Sequence, residues 1–147
     1  MISRRPRGLY AQLFVRDANA AAEFYTKAFG AAELFRNTLP DGTVLFIEMA
    51  IGDGRLLLSE ETPSLNALAP PTVGGTPVLL HLEVDDVDAL AESAVSAGAK
   101  VDMPVEEMFW GERYGVFSDP FGHRWAISTA REQLTPDEIA RRSPPSV

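Results

Sequence analysis

The sequence predicts an α+β fold made of two tandem βαβββ modules, and three observations predict it. Strand-like and helix-like segments follow the same order in both halves of the chain. Three pairs of landmarks repeat at a nearly constant spacing along the chain: Asp17 with Asp86, Gly30 with Gly98, and Gly54 with Gly122. The length of 147 residues allows one domain that buries a core without disulfides, and the chain contains no cysteine. We therefore expect a structural duplication within one chain.

The first module is predicted over residues 9–61 and begins with a strand and a helix. Residues 9–15 are rich in aromatic and β-branched side chains, which are typical of a strand. Asp17 follows as a helix N-cap, and apolar residues then recur at helical spacing over residues 18–29. Gly30 ends this helix, because glycine readily adopts the left-handed conformation that follows a last helical turn.

Three further strands complete the first module. They are predicted at residues 33–38, 43–51 and 55–59. Residues 39–42 have the composition of a turn, and the glycine-rich residues 52–54 form the tight turn of a hairpin.

The second module, residues 78–130, repeats this order. A strand at residues 78–84 precedes a helix at residues 87–97, which Asp86 caps and Gly98 ends. The remaining strands begin at Val101 and cover residues 113–118 and 123–129, with a turn at residues 119–122 between the last two.

Three segments lie outside the predicted modules. Residues 1–8 form a basic leader, for which we expect a flexible tail, with contact to an anion as the alternative. Proline and glycine pairs make residues 62–77 a linker or mobile loop, whose length is typical of a functional loop or a module boundary. In residues 131–147, Thr135 and Pro136 mark the N-cap and first turn of a C-terminal helix that is followed by a tail.

The charge distribution excludes several classes of partner. The chain carries 13 basic and 21 acidic residues, a net charge of −8, and 7 of the basic and 18 of the acidic residues lie in residues 9–130. An acidic body disfavours nucleic acid, whose phosphates dominate binding affinity. No segment approaches the roughly 20 apolar residues of a membrane span, and no export signal is evident. We expect a cytoplasmic protein that binds neither nucleic acid nor membrane.

The residue types also limit the chemistry. Without cysteine there is no thiol nucleophile or cysteine-based zinc site, and His81 and His123 are too few for a three-histidine metal site. An acidic strip lies at the start of the second helix and consists of Asp85, Asp86, Asp88 and Glu92. It lacks the spacing and the glycine of a calcium loop, so we interpret it as an N-cap with acids that favour the positive end of the helix.

At several motifs the chain resembles the vicinal oxygen chelate superfamily, which includes glyoxalase I, bleomycin resistance proteins and extradiol dioxygenases. The motifs are Val15-Arg16-Asp17, Glu23-Phe24-Tyr25, Ala28-Phe29-Gly30-Ala31, Glu83-Val84-Asp85-Asp86, Ala97-Gly98-Ala99, Trp110-Gly111-Glu112-Arg113-Tyr114-Gly115 and Asp119-Pro120-Phe121-Gly122-His123. The last two resemble its PhnB-like branch. The resemblance implies that each module curls its sheet around a cavity, that the protein is a homodimer, and that a ligand binds in the cavity or at the dimer interface. It implies no single reaction, because this fold hosts several chemistries.

The resemblance also implies where a metal would bind. Matched motif by motif, the four ligand positions of the family fall on Tyr10, Leu58, Leu79 and Ala126. Leucine and alanine carry no lone pair and a neutral phenol is a poor ligand, so we predict no metal and no other cofactor at this site. The alternative is a shifted site at His81 and Gln12 with Glu48 or Glu83, which alternate strand positions place on the same face.

A set of residues is predicted to line the cavity, because strand parity or the resemblance turns them inward. It comprises Tyr10, Gln12, Phe14, Phe46, Glu48, Leu58, Leu79, His81 and Glu83, with Trp110 and Tyr114 near the rim. Arg113, which follows Trp110-Gly111-Glu112, is a further candidate that would clamp an anionic group of the ligand. Aromatic side chains with a few polar groups are typical of a small-molecule pocket. Alternatives stay open for several of them: Phe14 and Phe46 as ordinary core, His81 as a hydrogen-bonded structural residue, and Arg113 as the partner of a carboxylate.

These observations favour a metal-free protein that binds a small molecule, such as an antibiotic or a metabolite. The alternative is a lyase, isomerase or epimerase that uses His81, Glu48 and Tyr10 as acid–base groups. A regulatory domain without turnover is the third interpretation.

Overall fold

The structure, a computed structural model, describes residues 7–145 and has the same order of elements in both halves. The first half contains β1 (Ala11–Val15), α1 (Ala18–Phe29), β2 (Ala32–Thr38), β3 (Val44–Ile51) and β4 (Gly54–Glu60). The connecting segment contains a 3₁₀ turn at Pro63–Leu65 and the short helix α2 (Pro70–Val73). The second half contains β5 (Leu79–Glu83), α3 (Val87–Ala97), β6 (Lys100–Glu107), β7 (Glu112–Ser118) and β8 (Arg124–Ala130), and α4 (Pro136–Arg142) follows. Most of the predicted leader, residues 1–6, lies outside the described residues.

The strands form two four-stranded mixed sheets with identical topology. Their orders are β1-β4-β3-β2 and β5-β8-β7-β6. The β1–β4 and β5–β8 pairs are parallel and the other pairs are antiparallel. The predicted α+β class and the duplicated βαβββ order are confirmed.

Each sheet has one face that carries the helices, the helix-bearing face, and an opposite helix-free face. In the first sheet, Leu58 pairs with Leu13 and Ile47, and all three are at most 5% exposed within the core cluster that includes α1. The neighbouring Leu57 pairs with Gln12 and points to the helix-free face, because successive side chains of a strand alternate.

Aromatic rings from both modules meet in one core. Tyr25 and Phe29 of α1 lie with their ring centroids 5.4 and 4.8 Å from that of Trp125 on β8. Phe24 packs edge-on against Phe121 in the β7–β8 loop, at 5.9 Å. The first helix therefore packs against the second module as well as its own sheet.

A buried carboxylate joins the two modules on the helix-bearing side. Asp119 Oδ2 accepts hydrogen bonds from the Tyr25 hydroxyl at 2.5 Å and the Trp125 Nε1–H at 3.0 Å. Its Oδ1 accepts the backbone N–H groups of Phe121 and His123. Burial, followed by the charge of Asp119, raises the pKa of Tyr25 well above its usual value. The Tyr25 phenol is therefore held as a neutral donor.

The segment at residues 62–77 connects the two modules and contains local structure, the 3₁₀ turn and α2. Ala69 is fully buried and Pro70 is buried beside it. Glu61 accepts hydrogen bonds from the Ala69 N–H at 3.2 Å and the Thr72 hydroxyl at 2.6 Å, and Arg16 donates to both Glu61 and Thr72. These contacts fix the connection between the modules to the end of β1.

The helix caps follow the sequence prediction. Asp17 accepts the Ala20 N–H at 3.0 Å, and Asp86 accepts the Ala89 N–H at 3.1 Å. Thr135 caps α4 in the same way. Among residues 7–145, no helix has the length and apolar character that crossing a membrane requires.

Candidate ligand-binding face

The helix-free face of the first sheet carries most of the residues predicted from the first module. Gln12 and Glu48 flank Leu57 across three adjacent strands, and Phe14 lies beside Ser59 one row further along. Gln12 Nε2–H donates to the Ser59 hydroxyl at 3.0 Å. Phe46 shares this face with Glu48, since the two are two residues apart on β3, and the Phe46 ring packs 5.7 Å from the exposed ring of Phe35.

An ion pair and a stacked ring hold one cation on this face. Arg55 Nη1–H donates to Glu48 Oε1 at 2.9 Å, and the guanidinium carbon lies 3.8 Å from the centroid of the Tyr10 ring. Glu48 is only 3% exposed, whereas Tyr10 is 43% exposed. Both predicted acid–base groups of the first module are thus bound to the same guanidinium.

The helix-free face of the second sheet combines a histidine with two aromatic side chains. His81, which is exposed, lies with its ring 6.1 Å from that of Tyr114, and the Trp110 ring packs edge-on against Tyr114 at 5.2 Å. Trp110 Nε1–H donates to Glu112 Oε1 at 2.7 Å. Burial, together with the charge of Glu112, raises the pKa of Tyr114, so the phenol stays protonated at neutral pH. The exposed Glu83 continues the row of Tyr114.

Leu58 does not lie on this face, and its predicted place in the cavity was wrong. The prediction aligned Gly54 with Gly122, the glycines of the two final hairpins. The strand register gives a spacing between the modules that is larger by one, since Leu13 pairs with Leu58 as Leu82 pairs with Ile127. A shift of one position turns a strand side chain to the opposite face. Leu57 is therefore the counterpart of Ala126.

Arg113, a candidate for clamping an anion or pairing with a carboxylate, does not lie on this face. It precedes Tyr114 on β7, so its side chain points to the helix-bearing side. There its Nε and Nη2 groups donate to the two oxygens of Asp88 on α3, at 2.7 and 2.8 Å. Of the two alternatives, pairing with a carboxylate is what the structure shows. The hydrogen bonds from Arg113 lower the pKa of Asp88.

The residues at the implied metal positions do not suit a metal ion. With the corrected register these positions hold Tyr10, Leu57, Leu79 and Ala126, of which only the phenol has a lone pair. At the shifted site, two of the proposed ligands already have protein partners, because Gln12 donates to Ser59 and Glu48 accepts from Arg55. Within residues 7–145, no three His, Asp or Glu side chains are grouped so that they could hold a metal.

Several residues of the helix-free faces were not predicted from the sequence. They are Phe35, Arg55, Leu57, Ser59 and Ser128. The spacing between the first strands of the two modules aligns Tyr10 with Leu79. The same spacing, applied to the last strands, aligns Leu57 with Ala126 and Arg55 with Arg124, and it would have placed Arg55 on the same face as Leu57.

Three grooves open elsewhere on the molecule. A groove of about 440 Å³ lies between Lys27 of α1 and residues of α3, and another of about 280 Å³ lies between α1 and β2. A third groove of about 340 Å³ lies between α3 and β6, where Val95, Val101 and Phe117 line it. All three are on the helix-bearing side, away from the aromatic and polar residues of the helix-free faces.

Comparison with known proteins identifies the family. Residues 9–127 match the model of the glyoxalase/bleomycin resistance protein/dioxygenase superfamily. The chain therefore belongs to this superfamily, as the sequence motifs indicated.

Individual relatives agree with this assignment. An uncharacterized protein of Mycobacterium bovis is 41% identical over 134 residues, which cover 89% of this chain and 88% of that protein. A protein of the same species named a putative glyoxylase, CFP32, is 30% identical over 77% of this chain and 41% of its own length. The crystal structure of a superfamily enzyme from Burkholderia phytofirmans has a TM-score of 0.66 and 26% identity, with 82% of this chain and 96% of that chain covered.

Proposed function

We propose that the protein binds a small organic molecule against its helix-free faces without a metal. The observation that carries this proposal is the side-chain chemistry at the four implied metal positions, three of which are hydrocarbon. A superfamily member that keeps the fold but offers Leu57, Leu79 and Ala126 there has no ligand set for a divalent ion.

The aromatic content of these faces supports an organic ligand. Phe14 and Phe46 are partly buried on the first sheet, and Trp110 and Tyr114 lie together near the end of the second. Rings with a few polar neighbours such as Gln12 are what a small-molecule site requires. Sequestration of an antibiotic or a metabolite is the function we favour.

A binding screen tests this proposal. Protein treated with a chelator is heated with a panel of aromatic antibiotics and metabolites, and the expected result is a raised melting temperature for some of them. A ligand at about 100 times its Kd stabilises the folded state by about 2.7 kcal/mol. Tyr114→Ala should remove the shift, whereas Val95→Ala, a change in the groove beside α3, should leave it unchanged. A shift that appears only after zinc or nickel is added would contradict metal-independent binding.

Catalysis by a lyase, isomerase or epimerase mechanism is the second candidate, and the exposure of His81 favours it. The imidazole makes no hydrogen bond within residues 7–145 and lies beside Tyr114. A base in this position is able to take a proton from a carbon next to a carbonyl, with Tyr10 or Glu48 as further acid–base groups. His81→Ala should then abolish turnover of a hemithioacetal substrate without changing the melting temperature. A stoichiometric metal, found by elemental analysis of protein purified without a metal column, would instead favour the shifted site.

We also propose a cytoplasmic homodimer of the PhnB-like branch. The motifs at residues 110–115 and 119–123 support the branch. Light scattering tests the assembly, and a monomeric mass at micromolar concentration would contradict it.

A further inference from the structure

The guanidinium of Arg55 has one edge in use and one edge available. Its Nη1 donates to Glu48, while its Nε and Nη2 groups make no hydrogen bond within residues 7–145. No buried side-chain nitrogen or oxygen in this part of the chain lacks a partner. The two remaining donor groups of Arg55 are therefore reached from outside the protein, on the helix-free face.

The same molecule shows what such an edge binds. Arg113 uses its Nε and Nη2 groups to hold both oxygens of Asp88, at 2.7 and 2.8 Å. This two-point arrangement matches the spacing of a carboxylate and is among the stronger hydrogen-bonded pairs in proteins. In Arg55 the equivalent edge has no carboxylate of the described residues against it.

Arg55 is also fixed in place before any ligand arrives. Its side chain is only 16% exposed, because buried Glu48 holds one end and the Tyr10 ring covers one face. A guanidinium held in this way loses little conformational entropy when it binds.

The corresponding arginine of the second module provides the contrast. Arg124 occupies the equivalent position on β8, but its side chain is 44% exposed and its Nε donates to Asp102 at 3.2 Å. Leu79, the counterpart of Tyr10, pairs with Arg124 and supplies no ring, and within residues 7–145 only the guanidinium of Arg55 lies over an aromatic ring. Of the two arginines, only Arg55 combines a covered guanidinium with an available edge.

We infer that Arg55 is the specificity-determining residue of the ligand site, and that the ligand is an organic acid whose carboxylate binds the Nε and Nη2 edge. This inference rests on the proposed binding function. Leu57 and Phe14 lie one and two rows along the same face, where the apolar body of such an acid would pack.

Matched probes test the inference by calorimetry. The probes are naphthoate, its neutral amide naphthamide, and the cation naphthylmethylammonium. Naphthoate should bind the native protein about tenfold or more tightly than naphthamide, as a hydrogen-bonded charged group predicts. Arg55→Gln should remove this preference by weakening naphthoate binding to the level of naphthamide binding, Arg55→Lys should retain part of it, and Arg124→Gln should retain all of it.

The outcomes distinguish failure of the inference about Arg55 from failure of the proposed small-molecule binding. Equal binding of naphthoate and naphthamide, or tighter binding of the cation, would overturn the role of Arg55 and leave small-molecule binding intact. Binding of none of the three probes would overturn both. The comparison of acid with amide uses native protein, so it holds even if Arg55→Gln does not fold.

Discussion

Two polar regions of the second module are built in opposite ways on opposite sides of one sheet. On the helix-bearing side, Asp119 is 6% exposed and accepts four hydrogen bonds. On the helix-free side, His81 is exposed and makes no hydrogen bond within the described part of the chain. Its contact with Tyr114 is a packing contact between the two rings.

The difference separates polar residues that hold the fold from polar residues that are available to a ligand. A buried carboxylate with all its donors in place fixes the position of α1 against the second module, and loss of one partner leaves the others unpaired in the core. An exposed imidazole beside one aromatic ring contributes little to packing. Each side of this comparison leads to a measurable expectation.

The largest effect is expected at the buried carboxylate. Asp119→Ala leaves the Tyr25 hydroxyl and the Trp125 N–H without an acceptor and removes the cap of the β7–β8 loop. We expect the free energy of unfolding to fall by about 3 kcal/mol or more. Urea denaturation followed by circular dichroism measures it.

Asp53→Ala is the matched control, since Asp53 is an exposed aspartate in the β3–β4 hairpin. Its unfolding free energy should change by about 0.5 kcal/mol or less. If the two variants were equally stable, the Asp119 network would not be what holds the modules together.

Tyr25→Phe gives a smaller effect that depends on pH. The variant loses one hydrogen bond to a charged group, so we expect it to be less stable by about 1–2 kcal/mol at neutral pH. Because the pKa of Tyr25 is raised in the folded protein, the phenol stabilises the fold below its unfolded pKa of about 10, and this contribution is lost as pH rises further. The gap between native protein and variant should therefore narrow above about pH 10. A gap that stayed constant through alkaline pH would show that ionisation of Tyr25 is not linked to folding.

Local signals were sufficient to predict the order of the elements. Asp17 and Asp86 were identified as caps because their spacing to the following apolar residues is a property of a short stretch of sequence. The contact of Tyr25 with Asp119 spans 94 residues, and no local pattern predicts a partner at that distance.

The register of the last strands explains the errors in the site. The first module turns tightly, with Ile51 paired to Gly54, whereas a longer loop separates the paired Ser118 and Arg124 in the second. Because the prediction aligned the glycines of two hairpins that differ in length, the spacing it used between the modules was wrong by one residue. It therefore placed Leu58 instead of Leu57 in the cavity and did not identify Arg55. Strand parity put Gln12 and His81 at equivalent positions, and both lie on helix-free faces, because both first strands lead into caps at the same distance.

The smallest effect is expected on the helix-free side. His81→Ala removes an exposed ring whose described contact is Tyr114, so the unfolding free energy should change by about 0.5 kcal/mol or less. Since Tyr114 keeps its contact with Trp110, tryptophan fluorescence of the unliganded protein should also stay the same. A loss of stability comparable to that of Asp119→Ala would make His81 a structural residue and remove the contrast between the two sides of the sheet. An unchanged fold combined with weaker binding or lost turnover would instead assign the imidazole to the ligand.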